Sequence, residues 1–447
     1  VYDLIVVGGG LSGLTAAYRA QQRGWRTLLL EAKEHTGGSL ESRWEGDTLL
    51  ELGAESMVLA KPWGKELCEE LGIELVRPQP AFQKTLICRG GRLLPIPEGL
   101  RLLAPSQWLP FLRSPAVSWR GKLRMAGDFF LAPKMDGQDE SLASFVRRRL
   151  GQEALERLAQ PLVAGIYTAD PETLSMAACL PQFLEYERRY GSVCKGLWHS
   201  PEARASSGPR YQLFCAPKGG FGQLVGALHQ KLAEVRTGHS VEQIRPLPEG
   251  GWRVDAWTSR RLVVALPTYV TAPLVREWAP EVAQELDQQK YLSSATVNLS
   301  YPLLPLDMVT RAYGFVVPAV EKRDILACTF SHRKYPGRTS GDVALLRAYV
   351  GGAGRPEAVE WSDEEMVERS HNELSRLLGF AVRPFHSAVT RYRRAMPLYE
   401  VGHLLRQERL AKGLSAFPNL GLVGNAYKGV GIPDCIRLAN EVISGLA

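Results

Sequence analysis

No stretch of this chain approaches the roughly 18 uninterrupted apolar residues that a spanning helix needs, which excludes an integral helical membrane protein. Cysteine is sparse. The seven, at 68, 88, 179, 194, 215, 328 and 435, are odd in number and show no CxxC spacing. They are read as reduced, mostly buried thiols of a cytosolic protein, so no disulfide frame or zinc site is expected. The eight histidines form no HExxH or HxxxH pair, and metal chemistry is not expected. A dominant charge is lacking too: 54 basic against 47 acidic residues leave +7. That excess is too mild to imply nucleic acid, but it suits an anionic small molecule or an acidic membrane surface. With 45% hydrophobic and 23% charged residues, the composition is globular, neither disordered nor fibrous. At roughly 100–200 residues per domain, the 447 residues imply more than one structural unit. A strand-like run opens at Tyr2, and no signal peptide is expected before it.

The strongest signal lies in the first forty residues. Tyr2 to Val7 suits a fully buried parallel strand and leads into Gly8-Gly9-Gly10-Leu11-Ser12-Gly13, a GxGxxG match. A helical pattern follows, then a second strand, Thr27 to Leu30, which ends in Glu31. Gly8 permits the turn, Gly10 lets a pyrophosphate approach the backbone, and Gly13 lets helix and strand pack closely. The helix N-terminus offers N–H groups to phosphates, and Glu31 can accept the hydrogen bonds of a ribose diol. A Gly-rich turn in a generic α/β unit would explain the glycines but not Glu31. Residues 31–38 read EAKEHTGG and 53–56 read GAES. Gly37-Gly38 is similar to the second glycine signature of glutathione-reductase-like flavoproteins, which selects FAD over NAD.

The last thirty residues carry a second glycine-rich turn. Leu420 to Val423 reads as a strand, followed by Gly424 and then by Gly429-Val430-Gly431-Ile432-Pro433. Apolar positions from Cys435 to Leu446 mark one face of a helix, with Pro433 at an early position where its missing N–H costs nothing. Such an electropositive helix start suits the pyrimidine edge of a flavin, although a plain packing helix would share the pattern.

Taken in order, GGGLSGL, EA…TGG, SLASFVRRRLG (141–151), PLVAGIYTADPETLS (161–175), APKGGFGQL (216–224), LLRAYVGG (345–352), RAMPLYEVGH (394–403) and NAYKGVGIPDCI (425–436) span nearly the whole chain. Together they resemble the oxygen-dependent porphyrinogen oxidases, protoporphyrinogen IX oxidase and the flavin-type coproporphyrinogen III oxidase, within the flavin amine oxidase superfamily. The resemblance implies an α/β fold. A Rossmann-type, glutathione-reductase-like FAD domain (1–77, 209–268 and 391–447) would be interleaved with an α+β substrate domain (78–96 and 269–390). A helical, membrane-facing subdomain would span 97–208. FAD would be held by Gly8, Gly10, Leu11, Ser12, Gly13, Glu31, Ala32, Gly37, Gly38, Ser39, Gly53, Ala54, Glu55 and Ser56. Val241 would bond the adenine through its backbone, and Gly424, Val430, Gly431 and Ile432 would complete the set.

For the substrate the resemblance implies Lys84, the Gly165-Ile166-Tyr167 turn, Gly314, Phe315, Val316 and Tyr349. Catalytic side chains are not assigned, because the flavin carries the chemistry. The implied reaction removes six electrons from a reduced tetrapyrrole in three flavin cycles, giving three hydrogen peroxide, within haem biosynthesis. Protoporphyrinogen IX is the expected substrate and coproporphyrinogen III the alternative. Lys84 stands near where relatives often have Arg, and Leu398 where Gln is common, so the propionate pairing is kept by Lys84, moved or lost. Arg147-Arg148-Arg149 is expected as a solvated face in preference to a propionate clamp. Segment 100–119, with two Trp, three Pro and two Arg, could dip into a membrane interface. The expected setting is cytoplasmic, peripheral on a membrane, as monomer or homodimer, with handover of product to a ferrochelatase-type enzyme. Two other readings stand beside this one: a flavin amine oxidase of another kind, and a non-catalytic binder on the same scaffold.

Overall fold

A computed structural model describes residues 1–199, 213–304, 306, 309 and 311–446. Two seven-stranded sheets and a helical region organise it. Tyr2–Val7 lies at the centre of the first sheet, parallel to Thr27–Leu30 on one side and Trp257–Val264 on the other. Val7 is in register with both Leu30 and Val264, so the three strands end together beside Gly8. Leu420–Leu422 comes from far along the chain to pair parallel with Leu262–Val264. Helices cover the strands, as a continuous apolar run demands: Leu11–Gln22, Phe221–Lys231 and Ile432–Gly445 join the same core as Leu4, Ile5 and Val6. Burying each such aliphatic side chain contributes about 1.5–3 kcal/mol.

The second sheet is ordered His386–Pro397, Tyr291–Pro302, Val343–Gly351, Ala327–Phe330, Ala312–Val316, Lys84–Arg89 and Arg92–Pro95. All pairs are antiparallel except Ala312–Val316 with Lys84–Arg89. Period-two alternation divides its faces. Ala344, Leu346, Ala348 and Val350 pack with Met366, Leu374 and Leu377 of the helix Asp363–Leu378. That helix opens on Ser362, whose Oγ accepts from Glu365 N at 3.1 Å, and closes on left-handed Gly379. Leu345, Arg347 and Tyr349 alternate with the core residues and turn to the opposite face.

The expected divisions meet this architecture unevenly. Of the segment 78–96, residues 84–89 and 92–95 form two strands of the second sheet. The break near 391 falls inside strand His386–Pro397, and helices Thr268–Val275 and Pro280–Asp287 pack into the first core, beyond the break at 268. The division at 208–209 lies outside the described residues. Most described residues of 97–199 form short helices around Phe111, Phe145, Leu158 and Val163.

The arginine run departs from its expected solvated face. Arg149 is wholly buried, its Nε donating to Asp128 Oδ1 at 2.6 Å and its Nη2 to Gly191 O at 2.9 Å. Arg148 joins Glu140 and Glu187, while Arg147 pairs with Glu172 at the surface. The buried carboxylates of Asp128 and Glu187 turn the run inward. Each of the seven cysteines is buried and forms no disulfide among the described residues. Among the described residues no helix is long and apolar enough to cross a membrane.

Candidate functional site

The opening turn separates three kinds of glycine. Gly8 has φ +105°, and a Cβ there would lie 2.7 Å from Ala265 O. A Cβ on Gly13 would collide with the Gly8 carbonyl, so this glycine exists for the helix–strand contact. Gly10 differs from both. Its φ of −69° suits any residue, and the nearest atom to an added Cβ is Gly38 Cα at 3.9 Å. Neither backbone nor neighbours call for glycine there, and the space is left clear. The second glycine pair closes over it: Gly37 N donates to Gly9 O at 2.8 Å, and Gly10 bridges Gly37.

Glu31 lies beside this turn. Its Oε2 accepts from Gly9 N at 2.6 Å and its Oε1 from Lys33 N at 2.9 Å. Gly238 N donates to Lys33 O and His239 N to Glu31 O, which brings the loop carrying Val241 to the end of the same strand. Leu11 and Ser12 are buried at the helix start, whereas Ala32, Gly38 and Ser39 are exposed.

Residues 51–56 are sewn to the inward face of the second sheet. Thr296 Oγ1 donates to Leu52 O at 3.2 Å and Asn298 Nδ2 to Glu51 O at 3.2 Å. Arg347 Nη2 donates to the Gly53 carbonyl, while a Cβ on Gly53 would strike Ser39 O. Tyr335 OH donates to Ser56 Oγ at 2.8 Å, and Ala54 is partly buried beside them. Glu55 is engaged in full: Ser331 Oγ donates to Oε1, and Lys334 Nζ lies 3.0 Å from Oε2. Burial pushes its carboxyl up, but the cations of Lys334 and Arg347 outweigh this and hold it down at about 2. Any cofactor contact from Glu55 is therefore left to its backbone. Arg347, 1% exposed, keeps Nε and Nη1 without partners among the described residues.

The closing turn is shaped from outside. Gly424 and Gly429 have φ of +139° and +122°. Gly431 is extended and caps helix Ile432–Gly445, with Val430 partly buried and Ile432 buried. Asp434 in the first helical turn is held by Lys61 Nζ at 2.6 Å. The Tyr399 hydroxyl donates to Asn425 O at 2.6 Å and accepts from Gly429 N at 2.8 Å. His403 stacks on the Tyr399 ring with centroids 3.9 Å apart. Sequence reasoning missed Tyr399, His403, Lys334 and Arg347. The only trace of the first two was their place in RAMPLYEVGH.

On the substrate side, Gly165 has nothing within 4 Å of an added Cβ, and Ile166 is 45% exposed. Tyr167 OH donates to Cys179 O at 3.3 Å, and burial pushes both its phenol and the Cys179 thiol up, the latter to about 12. Val316 is buried in the core of the helical region, and Tyr167, Ala327 and Val430 pack, partly buried, against that core. Phe315, expected as a wall of the same pocket, is a correction. Strand alternation turns it to the opposite face, where it packs against Phe330 in the core under helix Asp363–Leu378. Gly314 approaches the neighbouring strand closely, and a Cβ would lie 2.5 Å from Cys328 O. Tyr349 lies beside Arg347, 5.2 Å from guanidinium to ring centroid, with its hydroxyl 3.4 Å from Thr329 Oγ1. Lys84 is exposed at the start of its strand.

These residues fit an FAD. The clearing at Gly10 is one that a side chain would enter, and two buried Arg347 nitrogens lack partners among the described residues. Across residues 11–442 the sequence matches the model of the flavin containing amine oxidoreductases. It is 30% identical to the coproporphyrinogen III oxidase of Staphylococcus aureus, over 99% of both chains. It is 28% identical to the chloroplastic protoporphyrinogen oxidase of Nicotiana tabacum, over 99% of this chain and 85% of that one. A crystal structure of a provisionally named protoporphyrinogen oxidase from Exiguobacterium sp. 255-15 superposes with a TM-score of 0.87 at 29% identity, over 99% and 97% of the two chains. A cleared dinucleotide cradle and this likeness along the full length agree: the chain belongs to the flavin containing amine oxidoreductases and is an FAD-dependent oxidoreductase.

Proposed function

We propose that this enzyme oxidises a porphyrinogen to the porphyrin in haem biosynthesis, with dioxygen as final electron acceptor. The observation that carries the reading is the partly buried apolar surface that Tyr167, Ala327 and Val430 add to the core containing Val316. A flat, apolar macrocycle needs such a wall beside the cofactor, with water excluded from the reacting carbon. FAD, when bound, supplies the redox chemistry by taking electrons from the substrate and passing them to dioxygen.

Gly8 to Gly13, Glu31, Ala32, Gly37 to Ser39, the backbone of Gly53 to Ser56, Val241, Gly424 and Val430 to Ile432 would hold it. The same reading makes 1–77, 209–268 and 391–447 the cofactor domain, 78–96 and 269–390 the substrate domain, and 97–208 the helical subdomain. Gly165 to Tyr167 would lie against the macrocycle with Val316 and Tyr349, and exposed Lys84 would pair with a propionate.

Two substrates are in view. Protoporphyrinogen IX is favoured by the apolar surface of the helical region, where Leu109, Trp119, Leu123 and Phe130 are exposed near Arg113, Arg120 and Arg124. A poorly soluble substrate could reach such a face from a membrane at segment 100–119. Coproporphyrinogen III is favoured by the name of the Staphylococcus aureus relative. Peripheral membrane attachment and handover to a ferrochelatase-type enzyme belong to the first case.

Mixing the oxidised holoenzyme anaerobically with each porphyrinogen, and following flavin absorbance near ~450 nm in a stopped flow, tests the reading. The expected result is rapid bleaching by one substrate and porphyrin fluorescence once air is admitted. Bleaching by neither, with bleaching by a primary amine or polyamine, would replace the reading with amine oxidation.

A further inference from the structure

The turn 425–431 is braced at three of its residues by two buried rings. Tyr399, 3% exposed, spans the turn, donating to the carbonyl of Asn425 and accepting from the amide of Gly429. Behind it His403, 1% exposed, stacks at 14° between ring planes, with Nε2 3.1 Å from Tyr427 O. The tautomer follows from its other neighbour. Arg406 Nη2 lies 3.1 Å from His403 Nδ1, and a guanidinium only donates, so Nδ1 accepts and Nε2–H donates to Tyr427. Arg406 is itself fixed by the Gln288 carbonyl at 3.2 Å and by Gln289 Oε1 at 3.1 Å. Asn425 Nδ2 anchors the far side of the turn to Ala395 O at 3.2 Å.

The Tyr399 ring shares the apolar core against which Tyr167 and Val430 pack, but this set grips the turn through hydrogen bonds. Its polar atoms converge on the backbone of a turn whose next residues, Val430 to Ile432, lead into the helix start. There the first N–H groups lack intrahelical partners. A glycine-rich turn with φ of +122° at Gly429 has little stiffness of its own, so its shape is set by what grips it.

We propose that Tyr399 and His403 are positioning residues for the flavin: by clamping Asn425, Tyr427 and Gly429 they fix where Val430 to Ile432 present backbone amides to the cofactor. The inference rests on the reading that this turn faces the flavin. Tyr399 and His403 touch the turn and act on the cofactor through it. Loss of the clamp leaves the cofactor bound by the opening turn but poorly supported where its charge grows on reduction.

The test uses full-length, FAD-loaded enzyme with Tyr399→Phe, His403→Leu, His403→Gln and Gly431→Val. Readouts are the midpoint potential of the bound flavin and its dissociation constant for sulfite, compared at matched FAD content. Tyr399→Phe and His403→Leu are expected to lower the potential and weaken sulfite binding about tenfold, the size of lost hydrogen bonds at a developing charge. His403→Gln, which can still donate to Tyr427 and accept from Arg406, recovers much of this. Unchanged potential and sulfite affinity in Tyr399→Phe and His403→Leu, with a shift in Gly431→Val, would overturn the clamp alone. Unchanged values in all four would remove the turn from the flavin and the proposal with it. Should His403→Leu fail to fold, Tyr399→Phe, which keeps the ring stack, decides the matter.

Discussion

At residues 8–13 the glycines shape their own turn, whereas at 424–431 they only permit a shape that Tyr399, His403 and Asp434 impose. The opening turn depends on backbone fit: Gly13 against the Gly8 carbonyl, Gly8 against Ala265, and one carboxylate, Glu31, bonded to Gly9. The closing turn depends on side chains drawn from a strand end, a helix and Lys61. One is a local solution, the other a long-range one. They should therefore fail under different insults.

Gly13→Val should have the largest effect. Its side chain has no room between the Gly8 carbonyl and Ala265, and a clash with backbone costs about 4 kcal/mol or more. Loss of cooperative thermal unfolding is expected; a folded, yellow variant would contradict the account of Gly13.

Acid should reach the closing side through His403 over the same pH range in which it reaches His332 beside the Glu55 brace, since burial lowers both to about 4. Burial, with Arg406 adding to it, lowers the His403 pKa from 6.5 to about 4. The unfolded chain then takes up a proton before the folded one does. Stability from this group is present above pH 6.5 and falls away between pH 6.5 and 4, by about 3 kcal/mol. Glu55 acts lower: its folded value of about 2 lies below 4.5, so its contribution is lost only as pH falls from 4.5 towards 2. Denaturant midpoints measured at stepped pH should show the first loss reduced in His403→Gln and the second unchanged.

Gly10→Val sharpens the contrast within the opening turn. Open space at Gly10 means the apoprotein should lose no more than about 1 kcal/mol, yet purify colourless because the side chain fills the cradle. Full FAD content would refute the fit of the cofactor there. The smallest effect is expected at Lys84→Ala. An exposed ion pair is worth at most about 1 kcal/mol, so KM for the porphyrinogen should rise about fivefold with kcat little altered. An unchanged KM removes Lys84 from the substrate.

What could be read from the chain follows the same division. The strand, glycines, helix and Glu31 lie within about thirty residues, and their spacing alone announces the fold. The strand alternation that turns Phe315 away from the pocket was readable in principle, but it needs the strand's outer face to be known. Arg149 looked solvated because its partners Asp128 and Glu187 are distant in sequence. Lys334 lies in no motif, and although Arg347 stands in LLRAYVGG and Tyr399 and His403 in RAMPLYEVGH, each acquires its role only when two sheets or a turn meet it. Helices 268–287 bury Val275 and Leu286 in the first core, and apolar helices do not announce in the sequence which core they join.

The pairing of Leu420–Leu422 with Leu262–Val264 also has a consequence in time. A ribosome releases Tyr2–Val7 and Thr27–Leu30 early and Trp257–Val264 much later, and the last parallel neighbour emerges after nearly everything else. Until it does, the apolar edge at Leu262–Val264 stands open to wrong partners. Pairings this distant in sequence form slowly. With the closing turn proposed as part of the cofactor cradle, capture of FAD would follow this pairing, and a nascent chain waiting for it is a natural client for holding chaperones.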